Sequence, residues 1–177
     1  MTTAREEENL RPSMVRYSLE TTSGAFATVG EHLAHSRFKF ATNEAMRAVG
    51  EANKYFSEQA PWKLRTTDPE RMQTVLHVTL QAIDDAKTML TPFLPESSAK
   101  VYAMLGGQGT WTGMPRIDEV DEDGGPSYPV VTGDYDAVAR WESRPVRPGT
   151  PLSPPVPLFT KLDPWVVDEE LARLEQG

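Results

Sequence analysis

The residues best suited to molecular recognition surround one tryptophan. They lie in the string Asn53-Lys54-Tyr55-Phe56-Ser57-Glu58-Gln59-Ala60-Pro61-Trp62-Lys63-Leu64. Pro61 stops the helix that precedes it and fixes a corner at which Trp62 stands. A tryptophan at such a corner exposes part of its ring, and a rigid aromatic face stacks on an unpaired base with about 1–3 kcal/mol. The basic side chains of Lys54, Lys63 and Arg65 are close enough in sequence to meet phosphates.

These residues, taken by themselves, leave a plainer alternative open. In it, Trp62 plugs the end of a helical bundle and the lysines are only solvated. Asn53 points inward on the predicted helix in either case. The tryptophan corner therefore predicts either a base-stacking platform or a structural plug.

Other candidate groups for chemistry are weaker. His32 and His35 are three residues apart on a predicted helix, but without a nearby third ligand they predict a solvated face rather than a metal site. Asp84 and Asp85 are neighbours on a helix and point about 100° apart, so they predict a hydrated face. The acidic run 118–123 would repel phosphates and predicts a solvated loop. We therefore predict no catalytic residue and no metal site.

Composition excludes several classes of protein. The 177 residues include 18 Lys or Arg and 26 Asp or Glu, for a net charge of −8, which argues against a basic nucleic-acid clamp as a description of the whole chain. With 0 cysteines, disulfide scaffolds and thiol nucleophiles are excluded. No apolar run approaches the roughly 20 residues that span a bilayer, and residues 1–8 do not form a secretory signal. We expect a cytoplasmic protein whose partner is neither a membrane nor DNA.

Charge divides the chain into two parts. Residues 1–106 contain 12 basic and 13 acidic side chains, whereas residues 107–177 contain 6 and 13. The predicted organisation is a flexible segment or partial helix over 1–20, a helical bundle over 21–107 and an acidic, Pro-rich tail over 108–177. Trp111, Trp141 and Trp165 are spaced through this tail, which favours a strap packed on another surface over free disorder.

The bundle is predicted from helix periodicity and end signals. A helix runs from Phe38 to Gln59, and a second opens at Asp68 as cap with Pro69 in the first turn. Pro92 closes this helix, Pro95 restarts the next, and Gly106-Gly107 ends it. Residues 11–36 are also helical, with a break or a fresh N-cap at 21–24, and a last short helix covers 167–174. The fold class is an all-α antiparallel bundle with an irregular C-terminal tail.

Four short strings in order resemble a known family. They are Asn53-Lys54-Tyr55, Pro61-Trp62-Lys63-Leu64, Leu90-Thr91-Pro92-Phe93-Leu94-Pro95-Glu96 and Leu105-Gly106. Residues 24–112 resemble the C-terminal anticodon-binding domain of methionyl-tRNA synthetase, of the class I synthetase type. The strings Gly124-Gly125-Pro126, Pro157–Leu162 and Val167–Leu171 are similar to the tail of its actinobacterial members.

The resemblance implies a tRNA-binding module that recognises the anticodon region of methionine tRNA. Trp62 would stack on the first anticodon base, Pro61 would set the corner, and Lys63, Arg65 and Lys54 would meet the RNA backbone. Asn53, Pro92 and Pro95 would have structural roles.

Two departures from the family pattern limit this reading. The family's Asn-x-x-x-Arg pair of base-reading residues is missing, since Asn9 is followed at that spacing by Ser13. The His-Ile-Gly-His and Lys-Met-Ser-Lys-Ser strings of the catalytic part are missing too, so the chain alone would not activate methionine. ATP and methionine would belong to a catalytic portion, supplied in trans, and this chain would need no cofactor. The alternative is a synthetase-derived adaptor or accessory protein that has lost anticodon reading.

Overall fold

The computed structural model describes residues 22–113, 115–121, 124–133 and 136–175. These residues form six helices and one two-stranded hairpin. The helices are α1 (residues 22–34), α2 (Phe38–Gln59), α3 (Pro61–Leu64), α4 (Pro69–Leu90), α5 (Pro95–Met104) and α6 (Trp165–Leu174), and the strands are β1 (Arg116–Val120) and β2 (Tyr128–Thr132). The predicted bundle with an irregular tail and a terminal helix is confirmed.

Local signals in the sequence place the helix ends. The side chain of Asp68 accepts a hydrogen bond of 3.1 Å from the backbone N–H of Arg71, and Pro69 occupies the first position of α4. The side chain of Asp68 thus caps α4, and Pro69 has no N–H group that would need a partner in the first turn. After α5, Gly106 adopts a φ of +83°, the left-handed conformation that glycine enters without a steric penalty. The expected bounds of α2 and the restart at Pro95 are both observed.

The core of the bundle lies between α1, α2 and α4. Three alanines on α2 lie against α1 and α4 and let the helices approach closely. The buried members of this cluster are Ala25, Phe26, Val29, Ala41, Ala45, Ala48 and Met89. A second cluster joins Tyr55 of α2 to Val75 and Val78 of α4. Buried residues at helical spacing thus line one face of α2 and one face of α4.

The described part of α1 bears on the expected break or fresh N-cap at 21–24, of which residue 21 lies outside the described residues. Residues 22–24 are helical, and Thr22 is 2% exposed. The packing of Thr22 in the bundle outweighs the weak helix preference of Thr, Ser and Gly. The predicted flexible segment or partial helix over 1–20 lies outside the described residues.

The tail contains a hairpin that the sequence analysis did not predict. Strands β1 and β2 are antiparallel, with Arg116 opposite Thr132 and Val120 opposite Tyr128. The predicted solvated loop over 118–123 is wrong for 118–120, which are part of β1. Acidic residues disfavour strands, but β2 contains Tyr, Val and Thr, which favour them, and pairing extends that preference to β1.

The tail packs on the bundle through two of its tryptophans, as the strap interpretation expected. Trp111 is 3% exposed and its Nε1 donates to Thr91 Oγ1 at 2.9 Å. Trp141 crosses α1 so closely that a Cβ at Gly30 would lie 2.9 Å from its Nε1. That Nε1 donates to the carbonyl of Phe26 at 3.2 Å. A glycine is therefore needed at the point where the strap crosses α1.

A pair of polar side chains on α4 fastens the tail to the bundle. The amide of Gln81 donates to the carbonyl of Arg144 at 2.7 Å and accepts from the N–H of Val146 at 2.8 Å. One turn later, Asp85 accepts from Ser143 Oγ at 2.7 Å and is only 1% exposed. The expected hydrated face at Asp85 is therefore wrong, because the tail covers this side of α4.

Asp85 makes the stability of the fold sensitive to pH. Burial raises the pKa of Asp85, while hydrogen bonds from Ser143, Thr22 and Gln81 oppose the rise. Since the folded pKa lies above the unfolded value of about 3.9, the folded state binds the proton more tightly, and stability falls as pH rises from the unfolded to the folded pKa.

We expect Asp85→Asn to gain stability relative to wild type between about pH 3.9 and neutrality, because the amide has no charge to bury. Urea unfolding of both proteins at about pH 4 and pH 7 measures this difference. Glu96→Gln, at an exposed position of α5, is the control and should show no such trend. An equal difference between Asp85→Asn and wild type at both pH values would contradict the prediction.

Among the described residues, no helix is both long enough and apolar enough to cross a membrane.

Candidate nucleic-acid interface

A rigid corner between α2 and α3 presents Trp62. Ala60 ends α2 with a φ of +41°, and its N–H donates to the carbonyl of Phe56 at 3.1 Å. Pro61 follows as the buried first residue of α3, where its ring fixes φ. A left-handed alanine costs about 1 kcal/mol or more, so the surrounding structure must hold this corner in place. The predicted corner-setting position of Pro61 matches this geometry.

The ring of Trp62 is open to solvent. It is 59% exposed, and it contacts the ring of Phe56 at a centroid distance of 5.7 Å and an interplanar angle of 64°. This edge-to-face contact covers part of the indole and leaves the rest uncovered. The plug alternative requires a buried ring, and the structure does not show one.

The three basic residues are not all on the same side of the corner. Lys63 and Arg65 are exposed and follow Trp62 directly along the chain, within α3 and at its end. Lys54 is also exposed, but it stands two residues from Phe56 on α2, which turns its side chain about 160° away from that ring. Lys63 and Arg65 are therefore exposed neighbours of Trp62 along the chain, and Lys54 lies on a different face of α2 from Phe56.

The predicted structural residues are placed as follows. Pro92 and Pro95 lie in and after the turn that joins α4 to α5, where the N–H of Leu94 donates to the carbonyl of Leu90 at 2.8 Å. Asn53 is exposed at the edge of an apolar groove between α2 and α4. The burial expected for Asn53 is therefore wrong in this structure.

The remaining candidate side chains do not form a second site. Within residues 22–113, 115–121, 124–133 and 136–175, no cluster of three His, Asp or Glu could hold a metal ion. His32 packs against Phe40 at a centroid distance of 5.6 Å, and the ring of His35 bonds the carbonyl of Glu31 at 2.8 Å.

A cavity of about 440 Å³ between α4, α5 and the tail contains a buried charge pair. Lys87 Nζ is 2.7 Å from Asp84 Oδ1 and 3.5 Å from the ring centroid of Trp111. Burial lowers the pKa of Lys87, and the bond to Asp84 opposes this shift. The ammonium group thus has an acidic and an aromatic partner, which is the arrangement of a structural pair that supports the tail.

Comparison with known proteins identifies the bundle. Residues 16–120 match the family model described as the anticodon binding domain of methionyl tRNA ligase. The chain belongs to this family. The segment matched by the anticodon-binding family includes α1 to α5, the corner at Trp62 and the first strand of the hairpin.

Curated relatives of this anticodon-binding domain are longer proteins. The chain is 67% identical over 166 residues to the methionine–tRNA ligase of Thermobifida fusca, a match that covers 90% of this chain and 27% of that protein. It is 56% identical over 158 residues to the ligase of Salinispora arenicola, covering 88% of this chain and 26% of the relative. The chain thus spans about a quarter of the length of these relatives.

A solved structure shares the fold of this domain. Free methionyl-tRNA synthetase from Mycobacterium tuberculosis superimposes with a TM-score of 0.62 at 27% identity, covering 85% of this chain and 26% of that one. Because the curated relatives of this domain are methionine–tRNA ligases, the comparisons do not favour the alternative of an adaptor protein.

The sequence analysis did not identify two side chains that matter at these sites. Phe56 follows the apolar spacing of α2, yet it contacts Trp62 six residues later. Helical periodicity offers no signal for this contact, because the left-handed Ala60 interrupts the helix between the two residues. The partner of Lys87 offered none, since Trp111 is 24 residues away in sequence.

Proposed function

We propose that the chain is a tRNA-binding module that recognises the anticodon region of methionine tRNA. The observation that carries this proposal is the exposed indole of Trp62 on a rigid proline corner, in a chain of the anticodon-binding family. An unpaired base stacks on the indole, and Lys63 and Arg65 neutralise phosphates beside it. Lys54, on a different face of α2 from Phe56, contacts a more distant part of the RNA backbone.

The module is proposed to act as part of a methionine–tRNA ligase in the cytoplasm. This chain supplies tRNA binding, and a catalytic portion, joined or in trans, uses ATP and methionine. The net charge of −8 arises mostly after residue 106, so the surface around Trp62 does not carry that acidic excess. Long-range attraction for RNA is weak for such a chain, and short-range stacking supplies most of the affinity.

The test compares two transcripts of methionine tRNA, one intact and one with its anticodon loop replaced by a stable four-base loop. We expect the intact transcript to bind about 5- to 150-fold more tightly at about 50 mM salt, since one stacked base is worth about 1–3 kcal/mol. Fluorescence anisotropy measures both affinities. Equal affinity for the two transcripts would contradict recognition of the anticodon region, and an absence of binding to either would favour the adaptor alternative.

A further inference from the structure

The backbone at the corner fixes where Trp62 starts but not where its ring points. Ala60 and Pro61 determine the position of the Cα and Cβ atoms of Trp62, whereas χ1 and χ2 can still occupy several staggered wells. A side chain that is 59% exposed has few packing contacts to select among these wells. A stacking platform that samples several orientations loses affinity, because the ring must be ordered when the base binds.

One ring in the described part of the chain restricts the indole. Phe56 meets Trp62 in a T-shaped contact, with 5.7 Å between centroids. Phe56 belongs to the last turn of α2 and is itself partly buried. The preceding residue, Tyr55, is 6% exposed in the core between α2 and α4, so the helix that carries Phe56 is anchored.

Phe56 also borders the bundle. It lines the apolar groove between α2 and α4, which has a volume of about 330 Å³ and is also lined by Ala82 and Ile83 of α4. Phe56 therefore both lines the groove of the helix pair and contacts the indole. We infer that Phe56 is a positioning residue, which holds the ring of Trp62 in the orientation that stacks on the RNA base. This inference rests on the proposed function.

The experiment uses the full chain labelled with 5-fluorotryptophan. Its 4 tryptophans give separate ¹⁹F resonances, and the one lost in Trp62→Phe is assigned to Trp62. Phe56→Leu keeps an apolar side chain but removes the ring, whereas Phe56→Tyr keeps the ring. Ile83→Val, which alters the same groove without touching Trp62, is the matched control. Binding to the intact methionine tRNA transcript is measured for every variant and for Phe56→Leu combined with Trp62→Ala.

We expect Phe56→Leu to shift the Trp62 resonance and to weaken binding about two- to ten-fold, the range of an aromatic pair. The resonances of the other three tryptophans should not move, which shows that the fold is intact. Phe56→Tyr should restore binding, Ile83→Val should leave it unchanged, and Phe56→Leu should have no further effect when Trp62 is Ala.

Two results would overturn the positioning role. One is that Trp62→Ala weakens binding while Phe56→Leu neither shifts the resonance nor weakens binding. The other is that Phe56→Leu weakens binding equally with and without the indole, since its effect would then not pass through Trp62. If Trp62→Ala itself leaves binding unchanged, the proposed stacking of a base on Trp62 fails. The ¹⁹F spectrum then tests separately whether Phe56 orients the ring.

Discussion

Replacing Trp111 with Ala is expected to lower the free energy of unfolding by about 3–5 kcal/mol, the usual cost of removing a buried tryptophan. The indole is 3% exposed, packs 4.9 Å from the ring of Tyr102 and donates a hydrogen bond to Thr91. Its loss also removes the aromatic partner of Lys87, whose ammonium is 3.5 Å from the ring centroid. The cavity beside the charge pair would then enlarge and admit water to Lys87 and Asp84.

Chemical denaturation followed by circular dichroism measures this loss. Trp165→Ala is the matched control, because that tryptophan is 60% exposed on α6 and its truncation should change stability by no more than about 0.5 kcal/mol. Trp111→Phe should fall between the two, since it keeps most of the apolar volume but loses the hydrogen bond to Thr91. A change of less than about 1 kcal/mol for Trp111→Ala would show that the tail does not share the core of the bundle.

The elements that could be predicted from the sequence are those set by neighbours along the chain. The end of α2 follows from Pro61, and the start of α4 follows from the Asp68 cap with Pro69 at its first position. Each signal acts within about four residues and does not depend on the rest of the fold. The corner at Pro61 could be predicted for the same reason, whereas local signals left the exposure of Trp62 open.

The features that escaped prediction depend on partners far away in sequence. Asp85 is buried because Ser143, 58 residues later, lies against α4 and donates to its carboxylate. The acidic residues of β1 adopt a strand because β2 pairs with them. At the site, periodicity on α2 separates Lys54 from Phe56, but the contact between Phe56 and Trp62 required the geometry of the intervening corner. The sequence therefore predicts the proline corner that carries Trp62, but not the contact of its ring with Phe56.

Trp62→Ala is expected to weaken binding of methionine tRNA about 5- to 150-fold, the equivalent of about 1–3 kcal/mol for one lost stacking contact. The stability of the fold should hardly change, because the ring is 59% exposed and its truncation leaves no buried cavity. The neutral indole contacts no phosphate, so the dependence of the affinity on salt should be the same in both proteins.

The contrast with a basic residue separates stacking from charge. Lys63→Ala should weaken binding less at moderate salt and should reduce the slope of log affinity against log salt by about 1, because one phosphate contact is lost. Trp165→Ala removes an indole of nearly equal exposure, 60% against 59%, and should leave binding unchanged. The two tryptophans differ in position and not in aromatic content. If Trp62→Ala and Trp165→Ala bind RNA equally well, the exposed indole at the proline corner is therefore not a platform for a base.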